Sequence, residues 1–222
     1  WSPIGPSRGV AARGSGTDGM RGLAGNVLTP ALCLQVGFWV GRVLQAEGPV
    51  LIGMDSRTSG SMVVAALTAG LTAAGRDVWT LGLCPTPAVP LLIRQLGAAG
   101  GLMVSASHNP PADNGIKVFG ADGAKLSTSR QAQVEAGLKG QTPMAEQATF
   151  RCGVARSSAD LLDGYREVLQ QSVAERRLDG VPIVLDLCWG SATACGADAF
   201  RALGADLTVL HGEPDGSRIN VA

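Results

Sequence analysis

The chain has 222 residues, of which 45% are hydrophobic and 16% charged. That balance suits a buried core and argues against disorder. Eighteen basic side chains match eighteen acidic ones, so electrostatics gives no reason to expect nucleic acid or an anionic membrane as partner.

The segment 14–25 is rich in glycine and reads as a loop. Thr29 and Pro30 then have the character of an N-cap and a first helical residue. Leu32, Val36, Trp39, Val40 and Val43 recur at helical spacing, and Gly48-Pro49 ends that helix. A short apolar strand, 50–54, runs into the polar turn Asp55-Ser56-Arg57-Thr58-Ser59-Gly60. A helix over 62–74 is ended by Gly75. The strand 77–83 leads through Pro85-Thr86-Pro87 into a helix that reaches about Leu96. The apolar strand 101–104 opens into Ser105-Ala106-Ser107-His108-Asn109-Pro110, and a further strand is expected over 116–119.

The pattern weakens over 137–158. Beyond it, 159–174 reads as a helix and 182–186 as a strand. A helix over 190–203 is closed by Gly204, and 207–210 is a last strand. Strands alternating with helices define an α/β protein. The expected architecture is a three-layer α/β/α domain on a mixed sheet over 1–140, a linker over 141–157, and part of a second similar α/β domain over 158–222.

Loops at strand ends of such a sheet are where ligands bind. Three polar loops fall there: 55–60, 85–87 and 105–110. Gly14-x-Gly16-x-x-Gly19 matches a dinucleotide-binding pattern by letter only. It lacks the preceding apolar strand and the helix opening at its third glycine. In the 105–110 loop, Ser107 ends an apolar strand beside His108 and Asn109, and Lys117 follows ten positions on. A serine that accepts and donates phosphate needs exposure, cations, hydrogen-bond donors and a nearby acid or base. Residues of all those types are present. Local chemistry leaves two readings open: a phosphoryl-carrying serine, or an ordinary polar turn. Arg57 has the chemistry to position phosphate, and its loop reads equally well as a helix cap. Arg21 and Asp18 suit either a loop-stabilising pair or a substrate contact. Ser107 and His108 are adjacent and point apart, and no Gly-x-Ser-x-Gly elbow surrounds the serine, which weakens a hydrolase reading. His211 reads as a surface residue.

The five cysteines, Cys33, Cys84, Cys152, Cys188 and Cys195, form no Cys-x-x-Cys unit. They read as reduced core thiols of a cytoplasmic protein, not as a disulfide framework or zinc site. The segment 1–13 lacks the basic start and apolar core of a secretory signal. The longest apolar stretch, 27–44, contains Gln35, Gly37 and Arg42 and is too polar for a membrane span.

Several motifs, in this order, resemble the α-D-phosphohexomutase superfamily. They are Gly16-Thr17-Asp18-Gly19-Met20-Arg21-Gly22, the 53–60 segment, Pro85-Thr86-Pro87, the Ser107 loop, and Asp113-Asn114-Gly115-Ile116-Lys117. Ile183-Val184-Leu185-Asp186, Phe200-Arg201-Ala202-Leu203-Gly204-Ala205 and Pro214-Asp215-Gly216 with Ile219-Asn220 follow. The likeness covers about 14–221, and the forms around Arg21 and Ser107 are nearest to members acting on glucosamine phosphates.

The resemblance implies that Ser107 is phosphorylated in the resting enzyme and coordinates one Mg²⁺ through its phosphate, the remaining ligands lying outside this chain. It implies a small-molecule sugar phosphate as partner, with glucosamine 6-phosphate and glucosamine 1-phosphate interconverted through a sugar bisphosphate. Lys117 matches the position of a general acid/base. His108 and Arg21 match positions near the reacting phosphate, and Asn109 and Arg57 join them as phosphate-binding candidates. The metal's part is to neutralise charge on the transferring group. Two departures, Ser15 and Trp189, stand where members usually have Phe and Asn. The family's Asp-Gly-Asp metal loop occurs nowhere in this sequence, so the chain alone is expected to be inactive. Glucose or mannose phosphates as substrates, or a non-catalytic binding role, are the alternatives. Oligomeric state is not legible.

Overall fold

Thr29 starts the first helix by the chemistry of its side chain: its hydroxyl oxygen accepts a hydrogen bond from the Leu32 amide at 3.2 Å, with Pro30 following. The cap satisfies one of the amides a helix start leaves unpaired, and proline has none to lose there. The computed structural model describes residues 19–142, 151–173 and 176–221. Of the motif readings, Gly14, Gly16, Thr17 and Asp18 lie outside the described residues.

The elements in chain order are β1 (Met20–Leu23), α1 (Pro30–Val43), β2 (Val50–Met54), α2 (Gly60–Ala73), β3 (Val78–Leu83), α3 (Ala88–Leu96), β4 (Gly100–Val104), β5 (Asp113–Phe119) and α4 (Thr128–Leu138). Then come β6 (Ala155–Ser157), α5 (Leu162–Gln171), β7 (Pro182–Asp186), α6 (Gly196–Ala202) and β8 (Asp206–Leu210). Short 3-10 turns precede α5 and α6.

Six strands form one mixed sheet in the order β1-β5-β4-β2-β3-β6. β4, β2, β3 and β6 run parallel, while β5 is antiparallel to both β4 and β1. One face is covered by α1, α2 and α4, through Val36, Val40, Leu67, Leu71 and Val134. The other is covered by α3 and α5, through Leu92, Ile93, Leu162 and Tyr165. The sheet is therefore the middle of three layers, and its central strands are apolar on both faces, as parallel strands require. Where α1 crosses α2 the two backbones touch. A Cβ on Gly37 would run into the Leu67 carbonyl, and one on Gly70 into the Leu34 carbonyl.

β7 and β8 pair in parallel as a separate two-stranded sheet, with register from Pro182↔Asp206 to Asp186↔Leu210. α6 packs on it, Leu187 is buried, and Cys195, just before α6, is buried in the cluster formed by α3, α5 and the first sheet.

Four elements differ from the sequence reading. β1 lies inside the segment read as a glycine-rich loop; its pairing with β5, not its own composition, makes it a strand. α4 occupies a stretch the sequence leaves unassigned, because only Val134 and Gly137 of it are buried and no apolar stripe marks it. β6 falls within the segment read as linker. It lies beside β3, where Arg156 stacks over the Trp79 ring at 3.9 Å. α5, read as the start of the second unit, packs against α3 of the first sheet. Amide pairing and the Arg156–Trp79 contact tie 155–157 to that sheet, and apolar packing of Leu162 and Tyr165 ties α5 to it, none of which local patterns encode. Among the described residues no helix is long and apolar enough to cross a membrane.

Candidate functional site

β2, β3 and β4 are parallel, so their C-terminal ends meet at one edge of the sheet, and the 55–60, 84–87 and 105–110 loops emerge there together. Backbone bonds tie these loops to each other. The Asp55 amide donates to the Val104 carbonyl at 3.0 Å, and the Cys84 amide to Met54 at 3.0 Å. The Ser105 amide donates to Gly115 of β5 at 2.9 Å.

Ser107 is exposed at the tip of its loop and has φ +58°. A non-glycine residue in the left-handed region costs on the order of 1–3 kcal/mol and persists only where its surroundings enforce it. The enforcing contacts are visible. The Ser107 amide donates to the Ser105 hydroxyl at 3.1 Å. The Asn109 amide returns to the Ala106 carbonyl at 3.2 Å, and its side chain donates to the Asp113 carboxylate at 3.0 Å.

Arg57 lies beneath this loop rather than at its surface. Its side chain is fully buried and its Nε donates to Asp55 at 3.2 Å. One terminal nitrogen donates to the Pro110 carbonyl and to the Asp113 carbonyl at 2.9 Å. The other donates to the Ser107 carbonyl at 3.0 Å and the Asn109 carbonyl at 2.7 Å. All five N–H donors of the guanidinium thus have partners within the protein. The sequence left Arg57 open between a phosphate-binding candidate and part of a helix-cap loop; in the structure its terminal nitrogens hold the carbonyls of the Ser107 loop.

Arg21 approaches from the other side. It pairs with Gly115 in the β1–β5 ladder. A Cβ on Gly115 would lie 2.9 Å from Arg21 Cγ and 2.7 Å from the Ser105 carbonyl oxygen. Only a glycine lets the arginine stem cross there toward the Ser105 segment. Arg21 Nε is buried and has no hydrogen-bond partner among the described residues. Lys117 sits two positions along β5 from Gly115, opposite Met103 of β4. Strand alternation puts Lys117 on the same face as Arg21 and opposite to Ile116, which points into the core under α1 and α2. The structure therefore brings Ser107, His108, Asn109, Arg21 and Lys117 to one edge, with Arg57 below them.

Residues that sequence reasoning did not assign also meet here. Asp55, 4% exposed, holds Arg57 through both its amide at 3.1 Å and its Nε. Asn114 is fully buried; its side chain donates to the Ser59 hydroxyl at 2.9 Å and accepts from the Gly115 amide at 2.8 Å. Asn220 comes from 113 positions away to donate to the Ser107 carbonyl at 2.7 Å. Asp55 stood in a loop already singled out; nothing local marks the reach of Asn220.

Beyond β7 and β8, Trp189 and His211 stack with ring centroids 3.8 Å apart, and His211 Nδ1 lies 2.9 Å from Asp186. His211 is exposed, as its sequence position suggests, and is engaged by these neighbours. All five cysteines are free; Cys33, Cys84 and Cys195 are buried, whereas Cys152 and Cys188 are exposed. The last two depart from the reading of all five as core residues. Among the described residues no group of three or more His, Cys, Asp or Glu is placed to hold a metal ion. The described side chains therefore do not by themselves fit a Mg²⁺ site.

This architecture and edge belong to a known group. Residues 12–144 match the family described as Phosphoglucomutase/phosphomannomutase, alpha/beta/alpha domain I. The match spans more than half of the chain, and the protein belongs to that family. Among sequence relatives, the chain is 92% identical over 221 residues to phosphoglucosamine mutase of Synechococcus sp. strain CC9605, covering 100% of this chain and 48% of that one. It is 74% identical to the enzyme of the same name from strain CC9902, with the same coverage. Among solved structures, a putative phosphomannomutase from Thermus thermophilus superposes with a TM-score of 0.78 at 29% identity, covering 93% of this chain and 47% of that one. The chain spans about half the length of the curated relatives it matches.

Proposed function

We propose that this chain carries the phosphoserine half of a phosphoglucosamine mutase, with Ser107 as the phosphoryl carrier. The observation that supports this most directly is the held loop: an exposed serine kept at positive φ by contacts around it. An ordinary turn has no need of a buried arginine with both terminal nitrogens engaged on its carbonyls.

Arg21 supports the same reading. A buried Nε without a partner is costly, about 1–3 kcal/mol, and an anion beside it removes that cost. In the proposed step, the Ser107 Oγ–P bond breaks as a bond forms from phosphorus to a hydroxyl oxygen of glucosamine 6-phosphate. The hydroxyl proton passes by way of Lys117 to the Ser107 oxygen as it leaves phosphorus. The resulting bisphosphate turns over and returns its other phosphoryl group to Ser107, while the proton is restored to the oxygen released, giving glucosamine 1-phosphate. His108 and Asn109 flank the phosphoryl group, and Arg21 offsets its charge. The Mg²⁺ implied by the family would take the Ser107 phosphate as its one ligand from this chain. Turnover by the 222 residues alone is not expected, and a cytoplasmic setting suits the substrate.

Intact-mass measurement of the complete gene product tests the assignment. After incubation with glucose 1,6-bisphosphate, one added phosphate mapped to Ser107, and none in Ser107→Ala, is the expected result. A phosphate on another residue, or undiminished mutase turnover in Ser107→Ala, overturns it.

A further inference from the structure

The Ser107 carbonyl oxygen has two donors, one from each side. Arg57 reaches it from below at 3.0 Å, and the Asn220 side chain from the second unit at 2.7 Å. The Asn109 carbonyl repeats the arrangement, with Arg57 at 2.7 Å and Asn220 at 3.4 Å. A carbonyl has two lone pairs, so the clamp fills both oxygens.

Clamping a carbonyl fixes the whole peptide plane. In a trans peptide the N–H points opposite to the C=O. With the Ser107 oxygen drawn toward Arg57 and Asn220, the His108 amide is aimed the other way. The clamp thus fixes the orientation of the peptide that joins Ser107 to His108.

The second unit is held in register to do this. Ser56 donates its hydroxyl to the Trp189 carbonyl at 2.7 Å. Gly216 packs so closely on the 56–58 backbone that a Cβ would run into the Ser56 carbonyl and the Thr58 amide. The turn ends at Asn220, itself at φ +58°, a conformation asparagine tolerates.

We propose that Asn220 is a positioning residue for Ser107: it transmits the placement of the second unit to the serine by clamping, with Arg57, the carbonyls of Ser107 and Asn109. This rests on the reading of Ser107 as phosphoryl carrier. Arg57 is a poor probe because its loss unpairs Asp55. Asn220 is a good one. Asn220→Asp keeps shape and backbone preference and replaces the donor by an acceptor facing two oxygens, and Asn220→Gly keeps the left-handed conformation without the side chain.

Both variants are made in the complete gene product and followed by amide hydrogen exchange and by mutase kinetics. Exchange at Ser107 and Asn109, whose amides donate to the Ser105 hydroxyl and the Ala106 carbonyl, is expected to rise roughly tenfold or more. Turnover is expected to fall about tenfold or more, since misplacing a reacting group acts on kcat, while KM moves less than about threefold. The fall is expected to be larger in Asn220→Asp. Unchanged exchange in both variants shows there is no clamp, whatever the protein does. Faster exchange with unchanged kcat shows that the clamp does not position the serine. If the unmodified protein takes no phosphate on Ser107, the functional reading fails and the positioning claim falls with it, while the exchange result still decides whether the clamp exists.

Discussion

Arg57 Nε donates to Asp55 at 3.2 Å with both side chains out of solvent, 0% and 3% exposed. A buried ion pair of this kind is a weak source of stability while intact and a large liability once one partner is removed. Its remaining donors go to carbonyls of four residues, Ser107, Asn109, Pro110 and Asp113. Arg57→Met should therefore destabilise the protein by about 3–5 kcal/mol, through Asp55 and the stranded carbonyls. Arg57→Lys should recover little, because one ammonium cannot reproduce a planar five-donor fork. Urea unfolding of both variants decides it; a lysine variant as stable as the parent contradicts this account of the loop.

The seat of the second unit makes a separate prediction. Gly216→Ala places a methyl group against backbone atoms of Ser56 and Thr58, which have no rotamer to yield. Forced overpacking costs about 1–3 kcal/mol. The expected result is looser docking with the first sheet intact, seen as faster amide exchange across Asp215 to Asn220 and at the Ser107 loop. No change in either segment would show that the close approach is not maintained in solution.

Much of this was legible in the sequence, for identifiable reasons. Thr29-Pro30 names the start of α1, because a cap is a local device. The strands 50–54 and 182–186 carry their own apolar runs. The Ser107 loop stands out because its residue types are unusual together. What the sequence hides is long-range. β1 exists by pairing with β5, and β6 by pairing with β3. Arg57 has the chemistry of a phosphate ligand; that it turns inward depends on the Asp55 carboxylate and on carbonyls 50 or more positions away. The Ile219-Asn220 motif is visible, but the reach of Asn220 to the Ser107 carbonyl, 113 positions away, is hidden for the same reason.

The thiols separate by environment. Loss of hydration pushes Cys33 up to about 11 and Cys84 up to about 12. An ordinary thiol ionises near about 8.5. A raised value in the folded state contributes stability that is fully present below the unfolded thiol's value and is lost as pH rises through the folded one. Alkaline pH should thus erode stability progressively above about 8.5, and less so in Cys84→Ala relative to its own neutral-pH value. Iodoacetamide at mildly alkaline pH should label Cys152 and Cys188 in the native protein and the three buried cysteines only on unfolding. Rapid native labelling of Cys84 would show that its pocket is open.

Asp186 offers a test of opposite sign. The Cys188 backbone amide donates to its carboxylate at 2.9 Å and is the main reason its pKa is held below the usual range, with His211 adding to it. A depressed carboxylate contributes stability present above the unfolded value, about 3.9, and lost as pH falls through the folded one. The stability gap between the parent and Asp186→Asn should therefore shrink as the solution is acidified below about pH 4. The same variant reports on Cys188, whose thiol is pushed up first by loss of hydration and then by the Asp186 charge. Removing that charge should raise the thiolate fraction and speed alkylation of Cys188 at neutral pH, with Cys152 as the internal reference. Equal Cys188 rates in parent and variant would mean that the carboxylate does not face the thiol, and that the contacts at the end of β7 are not those of the protein in solution.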